Sequence, residues 1–268
     1  MSKTVIIDAG HGGIDSGAIG FGYYESHFVL DIANMVAKLL ESKGVKVVMT
    51  RSDDTFVSLQ ERTVIDHQYN ADCFVSLHND ASDTNGEAHG MSVFNYKNLG
   101  NSYKVSKCIH DSIINAGLYT ADRGLRDGSG LWVIRTTNAP ACLCELAFID
   151  NAEDIELLKN KRPQFAVAVA KGILTYLGMD TELSDPTGDS MPHPTTPAGL
   201  LPNGDIQKDA IVTASALHVR AGRGTDFDIL GTLPAGTKVN LWYCLDGWAS
   251  IGYNDRIGYI YTKYVNLV

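Results

Sequence analysis

Four polar residues stand where a folded chain rarely leaves them without a reason. The segment Asp8-Ala-Gly-His-Gly-Gly13 follows a short β-branched run, Thr4 to Asp8, so its glycines turn the chain and place His11 at the carboxyl edge of a strand. A second apolar run, Ala71 to Leu77, leaves in the same way through His78-Asn79-Asp80. A lone histidine is more often structural or solvated than a ligand, but two at strand exits of one parallel sheet are brought together by the topology. Glu25 starts the first helical segment, level with the same edge; compensation of the helix dipole is the competing reason for a carboxylate there. Two imidazoles and one carboxylate, with a fourth position open to water, form a recurring catalytic zinc set. Separations of 14 and then 53 residues nevertheless follow no local ligand rule. Glu145 interrupts the most apolar run of the chain, Pro140-Ala-Cys-Leu-Cys-Glu-Leu-Ala-Phe148, where a carboxylate is costly unless paired, metal-linked or functional. An acid or base beside a metal-activated water fits that cost; a buried salt bridge to Arg62 or Arg135 fits it too. The glycine-rich turn could instead cradle phosphate, but it matches neither the dinucleotide-binding nor the P-loop glycine pattern.

Positioning these residues requires alternating strands and helices, and the pattern supplies them. From about Tyr24 to Lys43, Phe28, Ile32, Met35, Val36, Leu39 and Leu40 recur at helical spacing, with Gly44 as C-cap before a strand Val45 to Thr50. A helix Ser58 to Tyr69, strands Cys73 to Leu77 and Met91 to Tyr96, and a helix Tyr103 to Ala116 are predicted next. Strands Leu131 to Arg135 and Ala141 to Leu146 and a helix Gln164 to Leu177 complete the series. This order implies an α/β fold, a mostly parallel twisted sheet with helices on both faces, whose sites lie at the carboxyl ends of the strands.

Composition sets the outer limits. The chain has 268 residues, 44% apolar, with 22 Lys+Arg against 31 Asp+Glu and a formal net charge of −9. No stretch approaches the roughly 20 apolar residues of a membrane helix, and the acidic balance argues against a nucleic-acid binder, which needs a basic footprint. Five of the eight prolines (186, 192, 194, 197 and 202) fall between Met179 and Asp209, which reads as a semi-extended linker, or else as a long functional loop. Beyond it, eight of the 23 aromatics sit in 61 residues of short alternating runs: Leu217 to Arg220, Ile229 to Leu233, Lys238 to Cys244, Trp248 to Ile251 and Ile257 to Tyr261. They predict a small all-β barrel. The domains are therefore expected at 1–178, a linker at 179–207, and 208–268. From Lys208 onward six Lys+Arg meet five Asp+Glu, net +1, while the part before it carries 16 against 26, net −10. Five cysteines without a CxxC pair support neither a zinc ribbon nor a disulfide framework.

Taken together, DAGHGG with a downstream glutamate, a strand ending in SLHND, the segment Ser58-Leu-Gln-Glu-Arg62 and CELAFIDN resemble the zinc-dependent N-acetylmuramoyl-L-alanine amidases of the amidase-3 type, over Lys3 to about Gly178. The resemblance implies that His11, Glu25 and His78 ligate one Zn²⁺, that Glu145 is the catalytic glutamate, and that the bond cut joins the lactyl group of N-acetylmuramic acid to L-alanine of the stem peptide. Asn79 and Asp80 are expected to orient ligands. Where Cys142 and Cys144 stand, the family more often has aliphatic residues. LHVRAGRGTDFDILGTLPAGTKV, GWASI and GYIYTKYV resemble a bacterial SH3-like module, a type that binds cell-wall peptide or glycan, with about half of Trp242, Trp248, Tyr259 and Tyr261 expected in its core.

The expected partner is thus peptidoglycan. Met1 to Asp8 holds an apolar run too short for a signal peptide, so the expectation is synthesis in the host cytoplasm and release through a membrane pore or by lysis, as for a phage endolysin acting on a Gram-positive wall. The alternatives are an autolysin of mother-cell lysis, a wall-binding protein without activity, and a zinc peptidase acting on free peptides.

Overall fold

Aliphatic and β-branched runs four to eight residues long become the strands of one sheet, and the 3.6-residue stripes between them become its covering helices. The computed structural model describes residues 3–82, 86–183, 200–201, 204–221, 225, 227–245, 247–254 and 256–268. It divides into two compact units, the first Met1–Ser52 with Phe56–Met191, the second Asp53–Thr55 with Pro192–Val268. The expected linker falls mostly on residues 184–199, which lie outside the described residues.

In the first unit β1 (Thr4–Ala9) leads through the small hairpin β2 (Ile19–Gly20) and β3 (Tyr23–Tyr24) into α1 (Glu25–Ser42) and β4 (Lys46–Met49). Then come α2 (Leu59–Gln68), β5 (Cys73–Asp80), β6 (Met91–Asn95), α3 (Gly100–Asn115) and β7 (Asp122–Asp127). The unit closes with α4 (Trp132–Thr136), β8 (Ala141–Phe148), α5 (Ala152–Asn160) and α6 (Arg162–Leu177). The sheet order is β4-β1-β5-β8-β6-β7. Strands β4, β1, β5 and β8 are parallel; β6 runs antiparallel to β8, with β7 parallel to β6 beyond it.

Strand alternation divides the sheet into two faces. Val5, Ile7, Val75, Leu77, Cys142, Cys144 and Leu146 join the core built with α1, α3 and α6. On the other face Ile6, Phe74 and Leu143 pack with Val133 and Ile134 of α4. Asp8, Ser76, His78 and Glu145 follow the second set by period, which puts four polar side chains on one face at the strand ends.

Several elements differ from expectation. The predicted strand Leu131 to Arg135 is the helix α4: its apolar run is too short for periodicity to separate the two forms. The Arg135 N–H donates to the Leu131 carbonyl, and the Thr136 and Thr137 hydroxyls donate to the carbonyls of Trp132 and Val133. Strand β7, Asp-Arg-Gly-Leu-Arg-Asp, carries no apolar alternation because it is an edge strand, where charge suppresses further pairing. Helix α5 follows an Asn151 cap whose Oδ1 accepts from the N–H groups of Glu153 and Asp154.

The second unit is a seven-stranded antiparallel sheet. Its strands are β9 (Gly204–Val212), β10 (Ala216–Arg220), β11 (Ile229–Pro234), β12 (Lys238–Leu245), β13 (Trp248–Tyr253), β14 (Arg256–Tyr261) and β15 (Val265–Leu267), in the order β11-β10-β14-β13-β12-β9-β15. Strand β9 begins at Gly204, inside the expected linker. Leu217, Val219, Leu241, Ile251 and Ile260 form the core. Tyr259 is buried in full, whereas Trp248, Tyr261 and Tyr264 form a partly exposed row with ring centroids 5.2 and 6.1 Å apart. Among the described residues no helix is long and apolar enough to cross a membrane.

Candidate metal centre

The exit of β1 turns through Gly10 to Gly13, and His11 itself adopts a left-handed φ of 58°. A non-glycine residue held there stores backbone strain, which the surroundings must stabilise. Two buried arginines do so. Arg62 of α2 donates from Nε to the Val57 carbonyl, from Nη1 to Asp8 Oδ1 (2.6 Å) and the Ala9 carbonyl (2.7 Å), and from Nη2 to the His11 carbonyl (2.8 Å). Arg51 donates to the carbonyls of Ala9, Gly10 and Ser26 at 2.7 to 2.9 Å. Asp8 is fully buried and also accepts from the hydroxyls of Thr50 and Ser76. Burial alone would raise its pKa; the Arg62 guanidinium and the two hydroxyls more than offset this and hold it below the usual carboxylate range.

On this base His11, Glu25 and His78 converge, with one donor atom from each lying within 4.8 Å of the others. Glu25, 3% exposed, faces His11 Nε2 at 3.1 Å through Oε2 and His78 Nδ1 at 2.8 Å through Oε1. It also accepts the N–H groups of Ala18 and Asn79. Burial pushes its pKa up, but the hydrogen bonds and charges of His11 and His78 bring it far below the ordinary value. The two imidazoles meet edge to face, centroids 4.9 Å apart. The second nitrogen of His11, Nδ1, lies 2.9 Å from Asp15 Oδ2, the carboxylate partner that fixes the tautomer of a metal-ligating histidine. Burial lowers the His11 pKa, and Glu25 and Asp15 reverse this and raise it.

The cradle is cut to these side chains. A Cβ on Gly10 would lie 2.3 Å from the His78 ring, and one on Gly17 would lie 2.6 Å from Glu25 Oε2 and 2.7 Å from the His11 ring. Two imidazoles and one carboxylate, with Asp15 behind His11 and two backbone N–H groups on Glu25, fit a zinc-type divalent cation.

Glu145 lies on β8 directly opposite His78 of β5 in register. Its Oε2 is sealed from solvent with no hydrogen-bond partner among the described residues. Burial, reinforced by the charges of Glu25 and Asp80, drives its pKa well above the ordinary value. Neither arginine weighed as its partner serves it: Arg62 is committed to Asp8, and Arg135 lies over the Trp132 ring. Asn79 contributes its backbone N–H to Glu25, while its side-chain amide is buried without a partner among the described residues. Asp80 accepts from the Ala81 N–H and touches no ligand among the hydrogen bonds of the described residues.

Sequence reasoning missed Asp15, the tie of Asp8 to Arg62, and Arg51. The i to i+4 relation of Asp15 to His11 within one glycine-rich turn was the available signal. Asp8 and Arg51 were hidden because their partners are carbonyl groups and residues distant in sequence, 25 to 68 positions away.

The model of the N-acetylmuramoyl-L-alanine amidase family matches residues 5–175, and that of the bacterial SH3 domain matches 215–266. The chain is 38% identical over 182 residues to N-acetylmuramoyl-L-alanine amidase LytC of Bacillus subtilis, a match covering 66% of this chain and 36% of that protein. It is 32% identical over 220 residues to the amidase AmiA of Escherichia coli, covering 65% of this chain and 76% of the relative. The solved structure of the amidase AmiC2 of Nostoc punctiforme superposes with a TM-score of 0.62 at 36% identity, covering 66% of this chain and 97% of that one.

Proposed function

The chain belongs to the N-acetylmuramoyl-L-alanine amidase family, and from that premise we propose that it is a zinc-dependent hydrolase of peptidoglycan. The bond it cuts is the amide between the lactyl group of N-acetylmuramic acid and L-alanine. The observation that carries this reading is the convergence of His11, Glu25 and His78 beside Glu145, which is in register with His78 and whose Oε2 is sealed from solvent with no hydrogen-bond partner among the described residues. His11, Glu25 and His78 are the residues that would hold Zn²⁺, which when bound activates water and polarises a carbonyl. Asp15 and the backbone N–H groups of Ala18 and Asn79 keep the ligand atoms aimed. Glu145 would move protons between the water and the departing amine nitrogen of L-alanine. Among the described residues Cys73, Cys142 and Cys144 are buried in the core of the opposite face and do not reach the centre.

The second unit is read as the module that holds the enzyme on the wall, through the partly exposed row Trp248, Tyr261 and Tyr264. The order of catalytic unit, linker and SH3 unit further supports a lytic role for a phage or prophage on a Gram-positive host, with the enzyme stored in the cytoplasm. A holin gene beside its own, and host lysis only when the pore-former is co-expressed, are the expected results; lysis independent of a pore-former contradicts that role. The metal reading is tested by chelation. Stripping the protein should abolish release of stem peptides from purified walls, and stoichiometric zinc should restore it; activity indifferent to chelator contradicts the assignment.

A further inference from the structure

Glu145 has two neighbours directly across the sheet. On one side β5 sets His78 opposite it, and on the other β6 sets Ser92 opposite it in an antiparallel pair. Because β6 runs against β8, its first residues arrive at the edge where β5 and β8 end. Ser92 is 2% exposed, and alternation puts it on the same face as Glu145. Val93 joins the core with α1, α3 and α6, whereas Phe94 packs with the cluster of Val133 and Ile134 on the site face. The start of β6 is also tied to the end of β8. Asp154, fully buried, accepts the N–H groups of Gly90 and Phe148 on one oxygen, Oδ2, each at 2.7 Å, and the Thr120 hydroxyl donates to the other. Gly90 has a positive φ of 100°, and a Cβ there would lie 2.2 Å from the Ala121 carbonyl oxygen, which accepts the Met91 N–H at 2.9 Å. Ser92 thus stands two residues after this clamp and Glu145 three residues before it, which fixes their register.

Hydrogen bonding makes the two neighbours unequal. A buried carboxyl oxygen without a donor is costly, and Glu145 Oε2 is in that state among the described residues. His78 already has Nδ1 at 2.8 Å from Glu25 Oε1, whereas the Ser92 hydroxyl makes no hydrogen bond with the described residues. Directly opposed residues of an antiparallel pair have Cβ atoms about 4.5–5.5 Å apart, a gap that a serine hydroxyl and the longer glutamate side chain span by rotation about their own bonds. A hydroxyl donates and accepts, so one contact serves both a charged carboxylate and a carboxyl that has taken a proton.

We propose that Ser92 is a positioning residue for Glu145: its hydroxyl turns onto the carboxyl group and holds it in the orientation from which it reaches the scissile amide. The proposal rests on the amidase reading and adds a residue that acts only through Glu145.

The test compares hydrolysis of a muramoyl-peptide by the zinc-loaded full chain and its Ser92 variants, with zinc per chain measured on each. Ser92→Ala should lower kcat about ten- to a hundredfold with KM and zinc content unchanged. Ser92→Thr and Ser92→Val share one shape and differ in the hydroxyl, so the threonine variant should keep kcat near the wild-type value and the valine variant should lose as much as alanine. In a Glu145→Gln background Ser92→Ala should cost nothing further, because the group it positions is gone. A threonine variant as slow as the valine one, a loss confined to KM, a fall in zinc content, or losses that multiply across Ser92 and Glu145 overturns the proposal. Release of stem peptide from purified walls by the wild type is scored separately. Its absence removes the amidase reading, whereas equal release by wild type and Ser92→Ala removes the Ser92 assignment alone.

Discussion

At the scale of single residues, the costs concentrate in two carboxylates that play opposite parts. Glu145 Oε2 has no hydrogen-bond partner among the described residues, so replacing Glu145 should remove chemistry and leave the fold: Glu145→Gln should lower kcat about 10²- to 10⁴-fold with zinc content per chain unchanged, measured by single-turnover hydrolysis and metal analysis. Loss of zinc along with activity would place Glu145 among the ligands instead. Asp8 is the reverse case, a charge stabilised by Arg62, Thr50 and Ser76. Because its pKa in the folded state is depressed below the ordinary 3.8, its contribution is fully present above that value and is lost as pH falls below it. Asp8→Asn leaves Arg62 buried without its counter-charge, which costs about 3–5 kcal/mol. Urea midpoints should therefore differ widely between wild type and variant at neutral pH and converge below about pH 4. A difference independent of pH would show that the pair does not ionise as described.

At the scale of elements, positions in one motif separate into chemistry and architecture. In Cys-Glu-Leu-Ala-Phe-Ile-Asp-Asn, ending at Asn151, Glu145 faces the centre, but Asn151 caps α5 and ties it to the Gly86 carbonyl through Nδ2 at 2.7 Å. Asn151→Ala should accordingly lower stability by about 1–2 kcal/mol without altering kcat at 25 °C; thermal unfolding and steady-state kinetics check the two halves, and a fall in kcat with unchanged stability would contradict the cap assignment. The same separation explains what the sequence showed. The strands β1, β5 and β8 and helices α1, α3 and α6 were legible because each buries an apolar run or stripe of distinctive period. His11, His78 and Glu145 were legible as polar breaks in those runs. Helix α4 was not, because one and a half turns give no period, and β7 was not, because an edge strand needs charge rather than alternation. The Arg51 and Arg62 clamp on the His11 turn was hidden for another reason: arginine donating to carbonyl groups leaves no complementary residue type to find.

At the scale of the molecule, the charge is uneven along the chain, net −10 before Lys208 and +1 from there on. An anionic wall should repel the first unit at low ionic strength, where screening extends only beyond about 10–30 Å, and the near-neutral second unit should offset this by specific contact. Sedimentation with purified walls should show a chain ending at residue 183 binding worse than the full chain at 10 mM salt, with the gap narrowing about as the Debye length shortens near 150 mM. Equal binding at low salt would remove the targeting role. The central claim is narrower and concerns one bond. Purified sacculi digested with the zinc-loaded full chain should release, by mass spectrometry, intact stem peptides with free L-alanine amino termini and leave glycan strands bearing free lactyl carboxylates. Shortened peptides, free amino acids, cut glycan or no soluble product would contradict it.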